Sequence, residues 1–161
     1  MNYWKCNNWK KDDITTYFPQ KGLRLRIEPM VDAEVRRACL EFAQWIRTQY
    51  CFPIRVIVYV KSDVYVKTRS GEEACCTCLR PAQKCDSPYI RLPTGDYEEL
   101  LDECGKYNAL ASILHSMAAM LTHYFLWLND IEFSTYEEEN DAANDFAYTV
   151  IMQYLETRDH P

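Results

Sequence analysis

Apolar residues recur at intervals of three and four between residues 32 and 50, and this spacing predicts an amphipathic helix. A comparable pattern near the end of the chain predicts a last helix from about 136 to 155. Pro53 follows the first helix and prevents its continuation. The first helix is predicted to bury Val35, Ala38, Cys39, Phe42, Ala43 and Ile46.

The middle of the chain predicts two further helices separated by a glycine. Asp96 stands at an N-cap position with Glu99 three residues later, a capping-box arrangement for a helix from 96 to about 103. Gly105 ends this helix. A long apolar helix is expected from 108 to about 127.

Dense β-branched residues predict the strands. Residues 54–60 form one strand, and 64–66, after the turn at 61–63, form a second that we expect to pair with it as a hairpin. A short strand is predicted at 88–92. The expected class is α+β, with a small mixed or antiparallel sheet packed against a long central apolar helix and flanking helices.

The length of 161 residues, 48% of them hydrophobic, fits one core. We expect a single domain from 21 to 161, preceded by an N-terminal arm at residues 1–20 that shows no clear period. Packing onto the domain is the main expectation for the aromatic residues of the arm, and binding of a partner is the alternative. These residues are Trp4, Trp9, Tyr17 and Phe18.

The formal charge of -6 argues against non-specific binding to nucleic acid or to an anionic membrane, because phosphates are neutralised by clustered Lys and Arg. Residues 107–129 lack Asp, Glu, Lys and Arg, but their Asn, His and Thr side chains favour a buried helix over a membrane span. The N-terminus has no signal-peptide pattern, so we expect a cytoplasmic protein with reduced thiols.

The stretch from Ile113 to Trp127 contains Ala119-Met120-Leu121-Thr122-His123 followed by Tyr124. It resembles the HExxH helix of zincin-type metallopeptidases from small bacterial families, in which the motif is written HELTH. In that chemistry two histidines one turn apart bind zinc, and the Glu beside the first is the general base. His123 matches the second histidine, whereas Ala119 and Met120 replace the first histidine and the Glu.

The resemblance also implies a third zinc ligand, a Glu on the following helix in a pattern like E-R-E-A-N-x-F-A. Ala143–Ala147 matches the end of this pattern, which puts Asn140 and Ala142 at the glutamate positions. Glu139 is one residue away and is expected to be turned by about 100°. His115 lies about 12 Å of helical rise from His123 and is too far to share a zinc ion with it. Catalytic zinc is therefore not expected.

The cysteines between 75 and 85 leave three interpretations open. Cys75 and Cys78 have the spacing of a zinc knuckle to which Cys85 adds a third thiolate, but no second pair follows. Reversible disulfide chemistry is the second interpretation, and reduced thiols in a loop are the favoured one. Cys6, Cys39, Cys51 and Cys104 are expected to serve core packing.

The leading functional hypothesis is a non-catalytic zincin-like domain that binds a protein partner as an inhibitor or regulator. A groove between the 88–92 strand and the long helix, with Tyr89, Ile90, Arg91, Leu92 and His123, is expected to receive an extended peptide along the strand edge. A small acidic inhibitor of the kind that mobile elements encode fits the size and charge without being singled out by them.

Two alternatives stay open beside this hypothesis. One is an active zinc metallopeptidase with a rearranged site built on His123, Glu137 to Glu139 and His115. The other is a zinc or redox sensor that acts through residues 75–85.

Overall fold

A computed structural model describes residues 1–6, 22–68 and 70–161 of the chain. These ranges contain three helices and six strands. They are β1 (Leu23–Ile27), α1 (Ala33–Gln49), β2 (Val56–Lys61), β3 (Val66–Lys67), β4 (Glu73–Ala74), β5 (Thr77–Leu79), β6 (Tyr89–Pro93), α2 (Tyr97–Leu128) and α3 (Tyr136–Leu155).

The main sheet is mixed and has the strand order β1-β2-β6-β5. β1, β2 and β6 run parallel, and β5 is antiparallel to β6. Along β2, Val56, Val58 and Val60 are buried while the residues between them are half-buried, because successive side chains of a strand point to opposite faces. The α+β class and the mixed sheet are confirmed.

The predicted hairpin between 54–60 and 64–66 is wrong. β2 already has a parallel partner on each side, so neither of its edges is open to β3. The turn after β2 is instead held by other segments, since Glu28 Oε2 accepts from the Ser62 amide at 2.9 Å and the Asp63 carbonyl accepts from the Gly95 amide at 2.8 Å. β3 pairs with β4 in a separate two-stranded sheet.

Gly95 is required where this turn meets the start of α2. A Cβ added to it would lie 2.6 Å from the backbone carbon of Asp63 and from the Ser62 carbonyl oxygen, closer than real Cβ contacts come. The close approach lets the strand β6 turn directly into the helix. Asp96 precedes α2 as predicted, but its side chain makes no capping hydrogen bond.

The helix predictions are confirmed closely. α1 begins after Asp32, whose side chain accepts from the Glu34 amide at 2.8 Å. Gly105 has a non-helical backbone (φ 81°, ψ 167°) and divides α2 into two helical stretches, as its predicted role required. The second stretch is buried on almost every side.

α2 is long and apolar enough to cross a membrane by length and composition, but 78% of its most apolar window is buried inside the protein. This burial is that of the core helix of a globular domain.

The first residues of the chain pack against this core. Trp4 is 1% exposed, and its Nε1 donates to Thr122 Oγ1 at 2.9 Å. Its ring stacks on Phe125 with centroids 5.1 Å apart. The packing expected for Trp4 is therefore confirmed, while the calls on Trp9, Tyr17 and Phe18 fall on residues 7–21, outside the described part of the chain.

Candidate functional site

His123 lies on α2 where this helix faces the first turn of α3. Its Nδ1 is 2.6 Å from Glu139 Oε1, and the same oxygen is 2.6 Å from Nη1 of Arg80. The side chains of His123, Glu139 and Arg80 are 3%, 13% and 29% exposed. One largely buried carboxylate therefore links an imidazole to a guanidinium. Its oxygen accepts a hydrogen bond from the Nδ1–H group of His123.

Glu139, and not Asn140, is the residue of α3 that reaches His123. The expectation that Glu139 is turned away is wrong, because it assumed an orientation of α3 about its axis that was read from a spacing pattern. In the structure Thr135 caps α3 by accepting from the Glu138 amide, and the packing of α3 on α2 points Glu139 inwards. The Asn140 carbonyl accepts from Asn144 Nδ2 at 2.9 Å.

Arg80 is positioned by the segment that follows β5. The carbonyl of the next residue, Pro81, accepts from Trp127 Nε1 at 2.9 Å, which ties this segment to the end of α2. Lys84 lies over the ring of Trp127, 4.2 Å from its centroid. These contacts hold the segment that carries Arg80 against the end of α2.

Tyr136 covers the imidazole on its outer side. The two rings are nearly parallel, with an interplanar angle of 10° and centroids 6.0 Å apart. Nε2 of His123 is buried and has no hydrogen-bond partner within the described ranges. Such an orphaned nitrogen is the atom that a metal would need, so the remaining groups around it decide whether a metal fits.

The residues present do not fit a catalytic zinc ion. Ala119, one turn before His123, offers only a methyl group, and Met120 offers a thioether; both are buried, at 2% and 6% exposure. The near oxygen of Glu139 is already shared with Arg80. His115 is elsewhere, its Nε2 3.1 Å from the carbonyl oxygen of Asn144.

The part of the chain that the structure describes also has no cluster of metal ligands elsewhere. Within it, no three His, Cys, Asp or Glu side chains are grouped so that they could hold a metal ion. Cys75, Cys78 and Cys85, the residues of the expected knuckle, are thus not brought together as one ligand set.

The cysteines separate because Cys75 lies in a bend between β4 and β5, whereas Cys78 lies within β5. Cys75 lines a small cleft beside Leu92 and Ser112, whereas Cys76 and Cys78 line a different pocket. Burial raises the pKa of the Cys76 thiol to about 11 and that of Cys78 to about 12, so both remain neutral thiols at physiological pH. Cys85 is exposed.

The pocket beside Cys76 and Cys78 is an open cleft of about 410 Å³. It lies against β5, the edge strand of the described sheet. Its polar lining includes Arg80, Arg91 and Tyr136, together with two threonines. The cleft is therefore lined by two guanidinium groups, of which Arg80 is paired with Glu139.

The expected groove along Tyr89–Leu92 needs correction. β6 lies between β2 and β5, so its backbone is paired on both sides and cannot receive another strand there. Ile90 and Leu92 belong to the core, at 0% and 1% exposure. Arg91, on the opposite face, lines the pocket. β5, which hydrophobic patterning did not predict, takes the place that the peptide was expected to occupy.

Sequence reasoning missed Arg80 and Tyr136, and it included Glu139 only in the alternative of a rearranged metallopeptidase site. The alternation of Thr77-Cys78-Leu79 was the available signal for a strand. The cysteines in and around this segment were interpreted as possible metal ligands instead. Nothing local in the sequence pairs Arg80 with Glu139, because 59 positions separate them.

No family model matches the chain, and neither a curated protein nor a solved structure was found to match it. The function of the protein is therefore inferred from the geometry of this site.

Proposed function

We propose that this chain is a non-catalytic, zincin-like protein of the cytoplasm that binds a protein partner as an inhibitor or regulator. The observation that carries the proposal is the contact of Arg80 and His123 with one oxygen of Glu139. A guanidinium supplies there the positive charge that a metal supplies to a carboxylate and an imidazole in a zincin. The site is thereby neutralised by the chain itself and keeps its shape without a metal.

The partner that this surface fits is an extended segment that adds to the outer edge of β5, which has no strand partner among the described residues. Strand addition supplies backbone hydrogen bonds, and a neighbouring pocket then selects the side chains of the added segment. Arg91 and Arg80 line that pocket, so an acidic side chain of the partner is expected to enter it. Tyr136, which is 68% exposed, provides an aromatic contact at the rim.

The alternative functions gain less support. An active metallopeptidase built on His123 requires further ligands, and Ala119, Met120 and His115 do not supply them. A sensor built on the cysteine segment requires Cys75 and Cys78 on the same side, and they line different clefts. A mobile-element inhibitor is one setting for a protein-binding function and is not distinguished from other regulators.

The proposal is tested by selecting random ten-residue peptides, displayed on phage, against the full chain. We expect enriched sequences to share one acidic residue and to bind equally well with chelator or with added zinc. Tyr136→Ala should weaken the enriched peptides about tenfold, a loss typical of an interface tyrosine.

Tyr148→Ala is the matched control for this experiment. Tyr148 lies on the same helix, is 62% exposed and is not part of the pocket lining, so its removal should leave affinity unchanged. Enriched peptides that bind Tyr136→Ala as well as the parent chain would exclude this surface. Failure to enrich any acidic motif would exclude the proposed chemistry of the partner.

A further inference from the structure

Two cysteines that are far apart in sequence meet where the N-terminal segment crosses the end of α1. The Cys6 thiol donates to the carbonyl oxygen of Cys51 at a donor–acceptor distance of 3.2 Å. This contact brings the Cys6 side chain against the backbone of Cys51. Both are free thiols in the structure, Cys6 half-buried and Cys51 exposed.

The residues that precede Cys6 and Cys51 are anchored. Two residues before Cys6, Trp4 packs edge-on against Tyr50 with ring centroids 4.8 Å apart. Asn129 Nδ2 donates to the carbonyl oxygens of Tyr3 and Lys5, at 3.2 and 3.1 Å. These contacts fix the segment before Cys6 against the domain, and so keep Cys6 next to Cys51.

We propose that Cys6 and Cys51 form a reversible disulfide that attaches the N-terminal segment covalently to the domain under oxidising conditions. The expected packing role fits Cys39, which is buried in the core, and Cys6, which packs against it, but it does not account for Cys51, which is exposed. A disulfide between them closes a loop that contains the whole of β1 and α1. The strongest effect of such a bond is on the unfolded chain, which loses conformational freedom.

The oxidant is a low-molecular-weight disulfide such as oxidised glutathione. Cys51, the exposed member, attacks it as the thiolate, forms a mixed disulfide and releases one glutathione thiol. Cys6 then attacks the Cys51 sulfur, and the second glutathione leaves as a thiol that takes up the proton lost by Cys6. Two protein thiols are oxidised and one glutathione disulfide is reduced.

The order of attack follows from the surroundings of the two sulfurs. Burial, then the charge of Cys51 and the hydrogen bond with it, raise the pKa of Cys6 to about 12. Cys6 is thus a poor first nucleophile, and its position beside Cys51 is what favours it in the second attack, after the charge of Cys51 has been removed by the mixed disulfide. A cytoplasmic setting makes the bond conditional on oxidative stress and not permanent.

The test treats the full-length folded protein with oxidised glutathione, blocks remaining thiols and digests it with trypsin without reduction. We expect a linked pair consisting of peptides 6–10 and 48–55, with two hydrogens fewer than their sum, and its loss after addition of a reductant. The midpoint of thermal unfolding should rise by about 5 to 10 °C on oxidation. Cys6→Ser and Cys51→Ser should each abolish both effects.

Cys104→Ser is the matched control, because the Cys104 thiol also donates to a backbone carbonyl, that of Leu100 at 3.0 Å, and is exposed. This variant should retain the linked peptides and the rise in unfolding temperature. Recovery of Cys51 only as a mixed disulfide with glutathione would overturn the proposal. So would linkage of Cys51 to a cysteine other than Cys6.

Discussion

His123 and Arg80 contact the same oxygen atom of Glu139, each at 2.6 Å, so one carboxylate connects α2, α3 and the segment that follows β5. The three groups come from distant parts of the sequence and are largely shielded from water. A buried carboxylate without such partners would be costly, so each member depends on the other two. This contact is both the candidate site and a tertiary link.

Removal of the shared charge should destabilise the protein. Glu139→Gln leaves Arg80 and His123 facing a neutral amide, and we expect the free energy of unfolding to fall by about 1 to 3 kcal/mol, since the site is only partly desolvated. Urea unfolding followed by circular dichroism measures this change.

Glu138→Gln is the control for the Glu139 experiment. Glu138 is exposed and lies in the same first turn of α3, so it has the same relation to the helix dipole. Its substitution should change stability by no more than about 0.5 kcal/mol. Equal unfolding midpoints for the two variants would show that the shared contact contributes nothing to folding.

A metal site should be recoverable with two substitutions rather than three. Ala119→His together with Met120→Glu supplies a second imidazole and a carboxylate one turn before His123, whose Nε2 has no partner among the described residues, while Glu139 orients the ring from Nδ1 and Asn140 is left unchanged. We expect one equivalent of zinc to bind at least about a hundredfold more tightly than to the parent chain. Isothermal titration calorimetry gives the affinity.

The same double variant with Glu139→Gln should lose most of that gain, by about ten- to a hundredfold. Circular dichroism must first show a native helical content, because Ala119 is 2% exposed and a larger side chain can strain the core. A folded double variant that binds zinc no better than the parent would refute the proposal that these two helices are arranged as in a zincin.

The Glu28 carboxylate, which holds the turn after β2, should make the stability of the protein fall at acid pH. The hydrogen bond from Lys61, followed by those from the backbone and side chain of Ser62, lowers the pKa of Glu28 from its ordinary 4.5 to about 2. A carboxyl whose pKa is lower in the folded state stabilises the protein above its unfolded value and loses that contribution as pH falls towards the folded value. The stabilisation should therefore be complete above about pH 5 and disappear between about pH 4.5 and 2.

Glu28→Gln provides the measurement, with urea unfolding recorded at pH values from 7 down to 2. The variant should be less stable than the parent at neutral pH, and the difference should shrink on acidification. Glu103→Gln, a change at an exposed helical carboxylate, should show no such convergence. A constant difference between Glu28→Gln and the parent across this range would contradict the role assigned to Glu28.

The chain's local patterns predicted its helices well because helix formation depends on residues three and four positions apart. α1 and α3 fall within a residue of their predicted limits, and Gly105 interrupts α2 as its backbone freedom indicated. These are properties that a few neighbouring residues decide.

Strand pairing and the site required the tertiary structure. The partner of β2 could not be read from the turn that follows it, because β1 and β6 come from other parts of the chain and occupy both of its edges. The choice between Glu139 and Asn140 depended on how α3 is rotated against α2. The sequence by itself determined that Ala119 and Met120 precede His123 on one helix, whereas the meeting of Arg80, His123 and Glu139 was decided by packing between separate segments, which no local spacing encodes.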